Sequence, residues 1–276
     1  MKLSVFGLGK LGSVIAAVNA DADHEVVGVD PNSTIVDLIN AGSSPFEEPE
    51  LDSLIHGSEG RLSATTDGFR AVLETDISIV IVPTPSRIDG SFSNEYVASA
   101  LTVIGSAIKQ KSSRHTVVIS STVRPGSMNG ELKEVLEASS GKIVGRDVGL
   151  VYNPAFIALG SIVSDMRYPD MLLIGESDSE SGDLVAAISN GYVQSNPKIN
   201  RMSLVDAEIT KIAVNTYVTT KISFANMLSE LCDYIPGSDV HTITRALGDD
   251  TRIGSKYIRA ATAYGGPCFP RDNKAL

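Results

Sequence analysis

The sequence predicts an α/β fold: a Rossmann-type doubly wound parallel sheet, followed by a long helix and a small all-helical domain. Short apolar runs alternate with helical patterns from Leu3 to Ile174, the rhythm of parallel strands and their crossover helices. The first run leads directly into a glycine-rich turn, Gly7-Leu8-Gly9-Lys10-Leu11-Gly12. Past residue 200 the rhythm stops. Val205 to Tyr234 holds no Gly or Pro and carries Ile209, Ile212, Ala213, Tyr217, Ile222, Ala225, Leu228 and Leu231.

In order along the chain, the expected strands are Leu3 to Phe6, Glu25 to Val29, Ile77 to Val82, Thr116 to Ser120, Val148 to Val151 and Met171 to Ile174. Glu176 to Asp183 reads as a loop entering a surface helix, with Ser179 or Ser181 as its N-cap. The long helix, at 1.5 Å per residue, spans roughly 45 Å, more than one small domain needs, which suggests a spine joining domains or subunits. Pro236-Gly237 stops it, and a smaller helical segment precedes the glycine-rich end. With 276 residues, two domains are expected, 1–203 and 204–276.

Composition narrows the function classes. A formal charge of −10 argues against a nucleic-acid surface, since phosphate binding depends on clustered Lys and Arg. No apolar run reaches the roughly 18 residues of a membrane span, and the first residues read as a strand rather than a signal segment, so a cytoplasmic protein is expected. Cys232 and Cys268 are too few for a disulfide framework. With four scattered histidines, His24, His56, His115 and His241, they offer no metal spacing.

The glycine-rich turn sits where a dinucleotide fingerprint belongs, between a strand and a helix. Gly7 allows the tight turn, Gly9 lets the backbone approach a pyrophosphate, and Gly12 lets helix pack on strand, while the helix N-terminus offers free N–H donors. The next strand ends at Asp30, whose carboxylate suits the ribose hydroxyls and repels a 2′-phosphate. Pro31 and Asn32 follow with no Arg, so NAD is favoured over NADP. The alternative is a structural glycine turn beside a solvated aspartate.

Other candidates stand beside plainer readings. Cys268, in Tyr264-Gly265-Gly266-Pro267-Cys268-Phe269-Pro270-Arg271-Asp272, is placed to act as a nucleophile with Arg271 and Lys274 close in sequence, or is a buried structural thiol. Lys211 and Asn215 share one helix face and can stabilise an alkoxide, or lie on a solvated face where Lys211 pairs with Glu208. Thr122 and Pro83-Thr84-Pro85 follow strands at the carboxyl edge, where α/β folds place ligands, or are ordinary turns. Cys232, among Leu228, Leu231 and Tyr234, reads as a core residue.

On these residues the sequence resembles the UDP-glucose/GDP-mannose dehydrogenase family of nucleotide-sugar 6-dehydrogenases. The likeness runs through the fingerprint and Asp30, Pro45-Phe46-Glu47-Glu48-Pro49 and Leu51, Val82-Pro83-Thr84-Pro85, Ser121-Thr122, Asn153-Pro154, the Lys211 and Asn215 helix, and Gly265 to Asp272. The last is the most specific, being similar to the family's Gly-Gly-Ser-Cys-Phe-Pro-Lys-Asp nucleophile motif.

The resemblance implies two successive NAD-dependent oxidations of a sugar C6 alcohol to a carboxylate. Cys268 forms a thiohemiacetal and then a thioester that water hydrolyses. Lys211 and Asn215 would stabilise oxyanions, Asp272 would assist proton transfer and Thr122 would hold the water. Gly7, Gly9, Lys10, Leu11, Gly12, Asp30, Pro83, Thr84 and Thr122 would hold NAD. Phe156, Lys211, Asn215, Arg252, Tyr257 and Gly265 would meet a nucleotide sugar, UDP-glucose or a UDP-N-acetylhexosamine, with Arg252 reaching across a homodimer formed through the long helix.

Two departures accompany the likeness. Family members carry Asn-Pro-Glu-Phe-Leu and then a second Glu, whereas Ala155 and Leu159 stand in those places here. Family members also continue into a further C-terminal nucleotide-holding domain beyond the position of Leu276. The competing expectations are a β-hydroxyacid-type dehydrogenase, which gives Cys268 no role, and a non-catalytic NAD-binding dimerisation module.

Overall fold

The structure, a computed structural model, describes residues 1–87, 92–266 and 268–276. Pro267 of the thiol motif lies outside them. Among the described residues the strands are β1 (Lys2–Phe6), β2 (Glu25–Val29), β3 (Leu62–Thr65), β4 (Ile77–Val80), β5 (His115–Ile119), β6 (Val148–Tyr152), β7 (Met171–Glu176) and β8 (Lys198–Ser203). The helices are α1 (Lys10–Asp21), α2 (Ser33–Asn40), α3 (Leu51–His56), α4 (Gly68–Leu73), α5 (Glu95–Ile108), α6 (Glu131–Ser140), α7 (Ile162–Arg167), α8 (Ser179–Tyr192), α9 (Leu204–Tyr234), α10 (Val240–Asp249) and α11 (Phe269–Ala275).

By its internal contacts the chain divides into two compact units, residues 1–85 with 93–208, and residues 86–92 with 209–276. The first is a single sheet in the order β3-β2-β1-β4-β5-β6-β7-β8. Helices cover both faces because the central strands are apolar on both sides: α1, α7 and α8 bring Ile15, Ile162 and Val185 to one face, and α5 and α6 bring Leu101 and Leu132 to the other. Each fully buried side chain of this kind contributes about 1.5–3 kcal/mol. The strand order reverses between β1 and β4, which opens a crevice at the carboxyl ends of these strands.

All neighbouring strands are parallel except β6 and β7, which run antiparallel. The doubly wound parallel sheet expected from the sequence is thus present with one antiparallel pair, since an apolar run reports burial and carries no information about direction. The Ser179 or Ser181 cap is corrected. Asp178 caps α8, its carboxylate accepting from the Ser181 amide at 3.0 Å while pairing with Arg114 at 2.8 Å. A charged acceptor competes better for a free amide than a hydroxyl does.

The first turn of α9 belongs to this unit and brings Glu208 into it. Glu208 is fully buried and accepts the amides of Gly126 and Met128, each at 2.8 Å, which pins the turn that follows Thr122. A surface pair of Glu208 with Lys211 is therefore not formed. Burial pushes the Glu208 carboxyl upward, against the lowering effect of the amides it accepts from.

The second unit consists of the rest of α9 with α10, α11 and their loops, joined by the 86–92 segment. Asp239 caps α10, accepting the amides of His241 and Thr242. Lys221 on α9 donates to the carbonyls of Ile253 and Gly254, and Asn226 accepts the Ala261 amide at 2.9 Å, so the long helix organises the loop that follows α10. Cys232, expected in a core, is half-buried at the end of α9 beside the exposed Leu231 and Tyr234. Its apolar neighbours line an outer face of the helix rather than an interior.

Candidate active site

The first unit gathers the fingerprint residues around the mouth of the crevice. Gly7 takes a φ of +93°, the left-handed region that glycine enters without strain, and its amide donates to the Val29 carbonyl at 2.8 Å. A Cβ on Gly12 would overlap the Gly7 carbonyl oxygen, so close packing of α1 on the turn requires glycine there. A Cβ on Gly9 would meet nothing within 4 Å, which leaves that backbone open to a ligand. Lys10 and Leu11 open α1, with the Lys10 side chain in solvent.

Asp30 lies at the tip of β2 and is nearly buried. Its Oδ2 accepts the Leu8 amide at 2.8 Å and its Oδ1 the Asn32 amide at 2.9 Å, which fixes the carboxylate across the turn. A cleft of about 580 Å³ runs from Gly7 and Asp30 past Thr66 to Tyr96 and Ser99 of α5, with Val82 and Pro83 on its wall. An open glycine backbone, a helix N-terminus and an oriented carboxylate fit the pyrophosphate and ribose of NAD. Tyr96 and Ser99 were not anticipated. They share a helix face with ordinary spacing, and nothing in the sequence marks that face as a cleft wall.

The loops after β4 and β5 are latched together beside this cleft. Ser121 Oγ accepts the Val82 amide at 2.9 Å and donates to the Val82 carbonyl at 2.8 Å, while Thr84 Oγ1 donates to the Thr122 carbonyl at 2.9 Å. Pro83, Thr84 and Thr122 are thus brought to one place. Phe156 follows the Asn153-Pro154-Ala155 turn in the same unit, packed against the sheet. Glu48 holds that region, accepting the amides of Gly160 at 3.0 Å and Ile162 at 2.7 Å.

The second unit brings Lys211, Asn215, Cys268 and Asp272 together. Lys211 and Asn215 are one turn apart on α9, and Cys268 is the N-cap position of α11. Asn215 Nδ2 donates to Asp272 Oδ2 at 2.6 Å, and the Asp272 amide donates to the Cys268 carbonyl at 2.9 Å. Asp272 is 1% exposed, yet among the described residues its Oδ1 has no hydrogen-bond partner and lies 3.5 Å from the Arg271 Nε. A buried carboxylate oxygen in that state is an acceptor held ready for a proton or a hydroxyl. Next to it, Thr219 and Asn273 exchange hydrogen bonds near 3 Å and tie α11 to α9, a pair that the sequence did not single out.

Lys211 is buried, and desolvation pushes its ammonium down to about 8, opposed by the charges of Asp272 and Cys268 and assisted by Arg271. The Cys268 thiol is exposed, so the reading of a buried structural sulfur does not hold. Arg252, Tyr257 and Gly265 are also exposed in this unit. Arg252 is taken up by Asp250 at 2.6 Å and is not joined to the Lys211 cluster, and Tyr257 has a φ of +65°, strained for a non-glycine residue.

Comparison with known proteins matches residues 1–194 to the UDP-glucose/GDP-mannose dehydrogenase family, NAD binding domain, and residues 205–276 to the central domain of the same family. Among curated proteins, a GDP-mannose 6-dehydrogenase of Pseudomonas aeruginosa is 39% identical over 280 residues, which cover 100% of this chain and 63% of that protein. A UDP-glucose 6-dehydrogenase of Haloferax volcanii is 36% identical over 279 residues, covering 100% of this chain and 64% of that one. Among solved structures, a UDP-glucose dehydrogenase from Pyrobaculum islandicum superimposes with a TM-score of 0.90 at 34% identity, over 99% of this chain and 62% of that one. The chain thus spans somewhat less than two thirds of the length of these relatives.

Two measurements check the geometry. Gly9→Ala keeps the thermal midpoint of the parent yet weakens NAD binding by roughly tenfold or more in calorimetry, because its methyl occupies ligand space; Gly12→Ala lowers both. A Gly9→Ala protein with parental affinity would refute the assignment. For Lys211, whose ammonium is pushed down in the folded state, the stability it contributes is present above its unfolded value of 10.5 and lost as pH falls through about 8. Lys211→Met therefore gains stability relative to the parent near pH 7, on the order of 3 kcal/mol at most, and loses that gain toward pH 10 in urea titrations. A pH-independent difference would show that Lys211 is not perturbed.

Proposed function

The chain belongs to the UDP-glucose/GDP-mannose dehydrogenase family, and from that membership we propose that it acts as an NAD-dependent nucleotide-sugar 6-dehydrogenase in the reducing cytoplasm. One observation carries the reading: an exposed thiol, Cys268, on the same short turn as a buried aspartate whose partner amide and neighbouring lysine both come from α9. A β-hydroxyacid-type enzyme needs the lysine and the amide but has no use for the thiol.

On this reading Lys211, mostly protonated at neutral pH, and the Asn215 amide steady the oxygen of the C6 alcohol as its proton leaves toward Asp272 Oδ1, which accepts no hydrogen bond among the described residues. NAD would supply the hydride acceptor, one molecule for each of the two oxidations. In the second, Cys268 Sγ gives up its proton and forms a C–S bond to the aldehyde carbon while the carbonyl oxygen takes a proton; loss of the C–H hydride together with the hydroxyl proton then leaves a thioester. Water adds to that carbon, the C–S bond breaks, the thiolate returns to Cys268 and the carboxylate product departs. Thr122 is assigned the positioning of that water. Because Ala155 and Leu159 bring no carboxylate, Asp272 takes the role of its proton acceptor.

The fingerprint residues Gly7, Gly9, Lys10, Leu11, Gly12 and Asp30, with Pro83 and Thr84, are assigned to NAD, and Phe156, Arg252, Tyr257 and Gly265 to the sugar nucleotide. Relatives named for GDP-mannose and for UDP-glucose stand at comparable identity, so both belong in the first substrate panel. The exposed apolar stripe Tyr217, Phe224, Met227, Leu231 and Tyr234 along α9 supports a homodimer formed through that helix.

Full turnover on GDP-mannose or UDP-glucose is expected to yield two NADH per sugar, and Cys268→Ser to stop after one or at a covalent ester. A single NADH with a ketone product would point instead to β-hydroxyacid chemistry. NAD binding with no NADH across the panel would leave a cofactor-binding module. For the assembly, sedimentation velocity is expected to give a dimer that Phe224→Asp dissociates; a parental monomer would remove α9 as an interface.

A further inference from the structure

Two parts of the cofactor cleft's lining are hydrogen-bonded to a single turn, the one that follows β5. Val82 and Pro83 form one part, and the Ser121 hydroxyl both accepts the Val82 amide at 2.9 Å and donates to the Val82 carbonyl at 2.8 Å. Tyr96 and Ser99 of α5 form the other, and Asn94 stands at the N-cap of that helix. The Asn94 side-chain amide donates to Ser127 Oγ at 2.8 Å and also to Glu131 of α6. Between Ser121 and Ser127 the chain passes through Gly126, whose φ is +88°.

The far end of this turn is closed by Glu208. The residue is 0% exposed, with Oε2 accepting the Gly126 amide and Oε1 the Met128 amide, each at 2.8 Å. Hydrogen bonds to an ionised acceptor are roughly twice as strong as those between neutral groups, so the carboxylate grips the turn more firmly than the hydroxyls at 121 and 127 do. It comes from the first turn of α9, the helix that carries Lys211 and Asn215 further along. A turn gripped at both ends presents its side chains in one place. Released at one end it samples others, and a ligand that needs the original arrangement loses apparent affinity in proportion to the time spent elsewhere.

We propose that Glu208 is a positioning residue for NAD: its carboxylate, closed on the Gly126 and Met128 amides, sets the turn that places Val82, Pro83 and the start of α5 around the cofactor. The proposal rests on the assignment of this cleft to NAD and requires neither a sugar nucleotide nor thiol chemistry.

The test sets NAD affinity by calorimetry beside the thermal midpoint of each variant. Glu208→Gln keeps the shape and one acceptor but turns an NH2 group toward the second amide, and is expected to weaken NAD roughly three- to tenfold. Glu208→Asp keeps the charge but is too short to span both amides; it is expected to weaken NAD as well and carries the comparison should Glu208→Gln not fold. Glu48→Gln is the control, because Glu48 is buried and grips the Gly160 and Ile162 amides in the same way on a segment that does not line the cleft. It is expected to lower the thermal midpoint and leave NAD affinity within about twofold of the parent. Ser121→Ala is expected to weaken NAD too, and Glu208→Gln/Ser121→Ala by less than the product of the single effects, because both act through one turn. Parental affinity in whichever Glu208 variant folds, an equal loss in Glu48→Gln, or fully multiplicative effects in the double variant would each overturn the proposal. Gly9→Ala tells the two failures apart. If it weakens NAD while the Glu208 variants do not, the cleft is the cofactor site and Glu208 is not its support; a parent that binds no NAD overturns both.

Discussion

A carboxylate taken out of water must be met by hydrogen-bond donors, and in this protein the donors are mostly the backbone amides of turns. Asp30 receives Leu8 and Asn32, Glu48 receives Gly160 and Ile162, and Glu208 receives Gly126 and Met128. Each such bond to a charged acceptor is worth about 1.5–3 kcal/mol when the group left behind would be buried. Every one of these turns borders a residue assigned to the chemistry: the fingerprint, the Phe156 segment and Thr122. Rigid placement of those loops is thus built from buried acids, of which Asp30 is also assigned to the cofactor and Glu48 and Glu208 to no chemistry.

Asp272 shows the contrast. It is as buried as the others but gives only one oxygen to a donor, the side-chain amide of Asn215, and leaves the other without a hydrogen bond. Each oxygen of Asp30, Glu48 and Glu208 accepts a backbone amide, and one oxygen of the assigned catalytic carboxylate accepts none. That difference, rather than burial itself, separates an acid that holds a turn from one free to exchange a proton.

The fingerprint was legible because its glycines answer to steric demands that no other residue meets, and the long helix because thirty residues without Gly or Pro have few other outcomes. Lys211, Asn215, Cys268 and Asp272 were legible as chemistry-bearing types in a family-like pattern, and the fold brings them into one cluster. Other features were not. Leu62–Thr65 and Lys198–Ser203 are short or largely polar strands whose periodicity is too weak to see, and strand direction leaves no mark in composition. Glu208 looked like a surface charge because its amide donors lie some eighty positions away. Phe92 and Arg271 meet across most of the chain, and Thr219 finds Asn273 by the same long-range folding.

The sheet order ends on β8, a strand of largely polar character. Its residues alternate between exposed and half-exposed, Lys198 stays in water, and Arg201 is committed sideways to Glu176 and Asp183. Charged side chains along a last strand oppose the docking of another chain's strand, because the incoming backbone would have to strip water from charges that it cannot replace. The sheet that builds the crevice thus ends on a strand whose chemistry is a poor template for another.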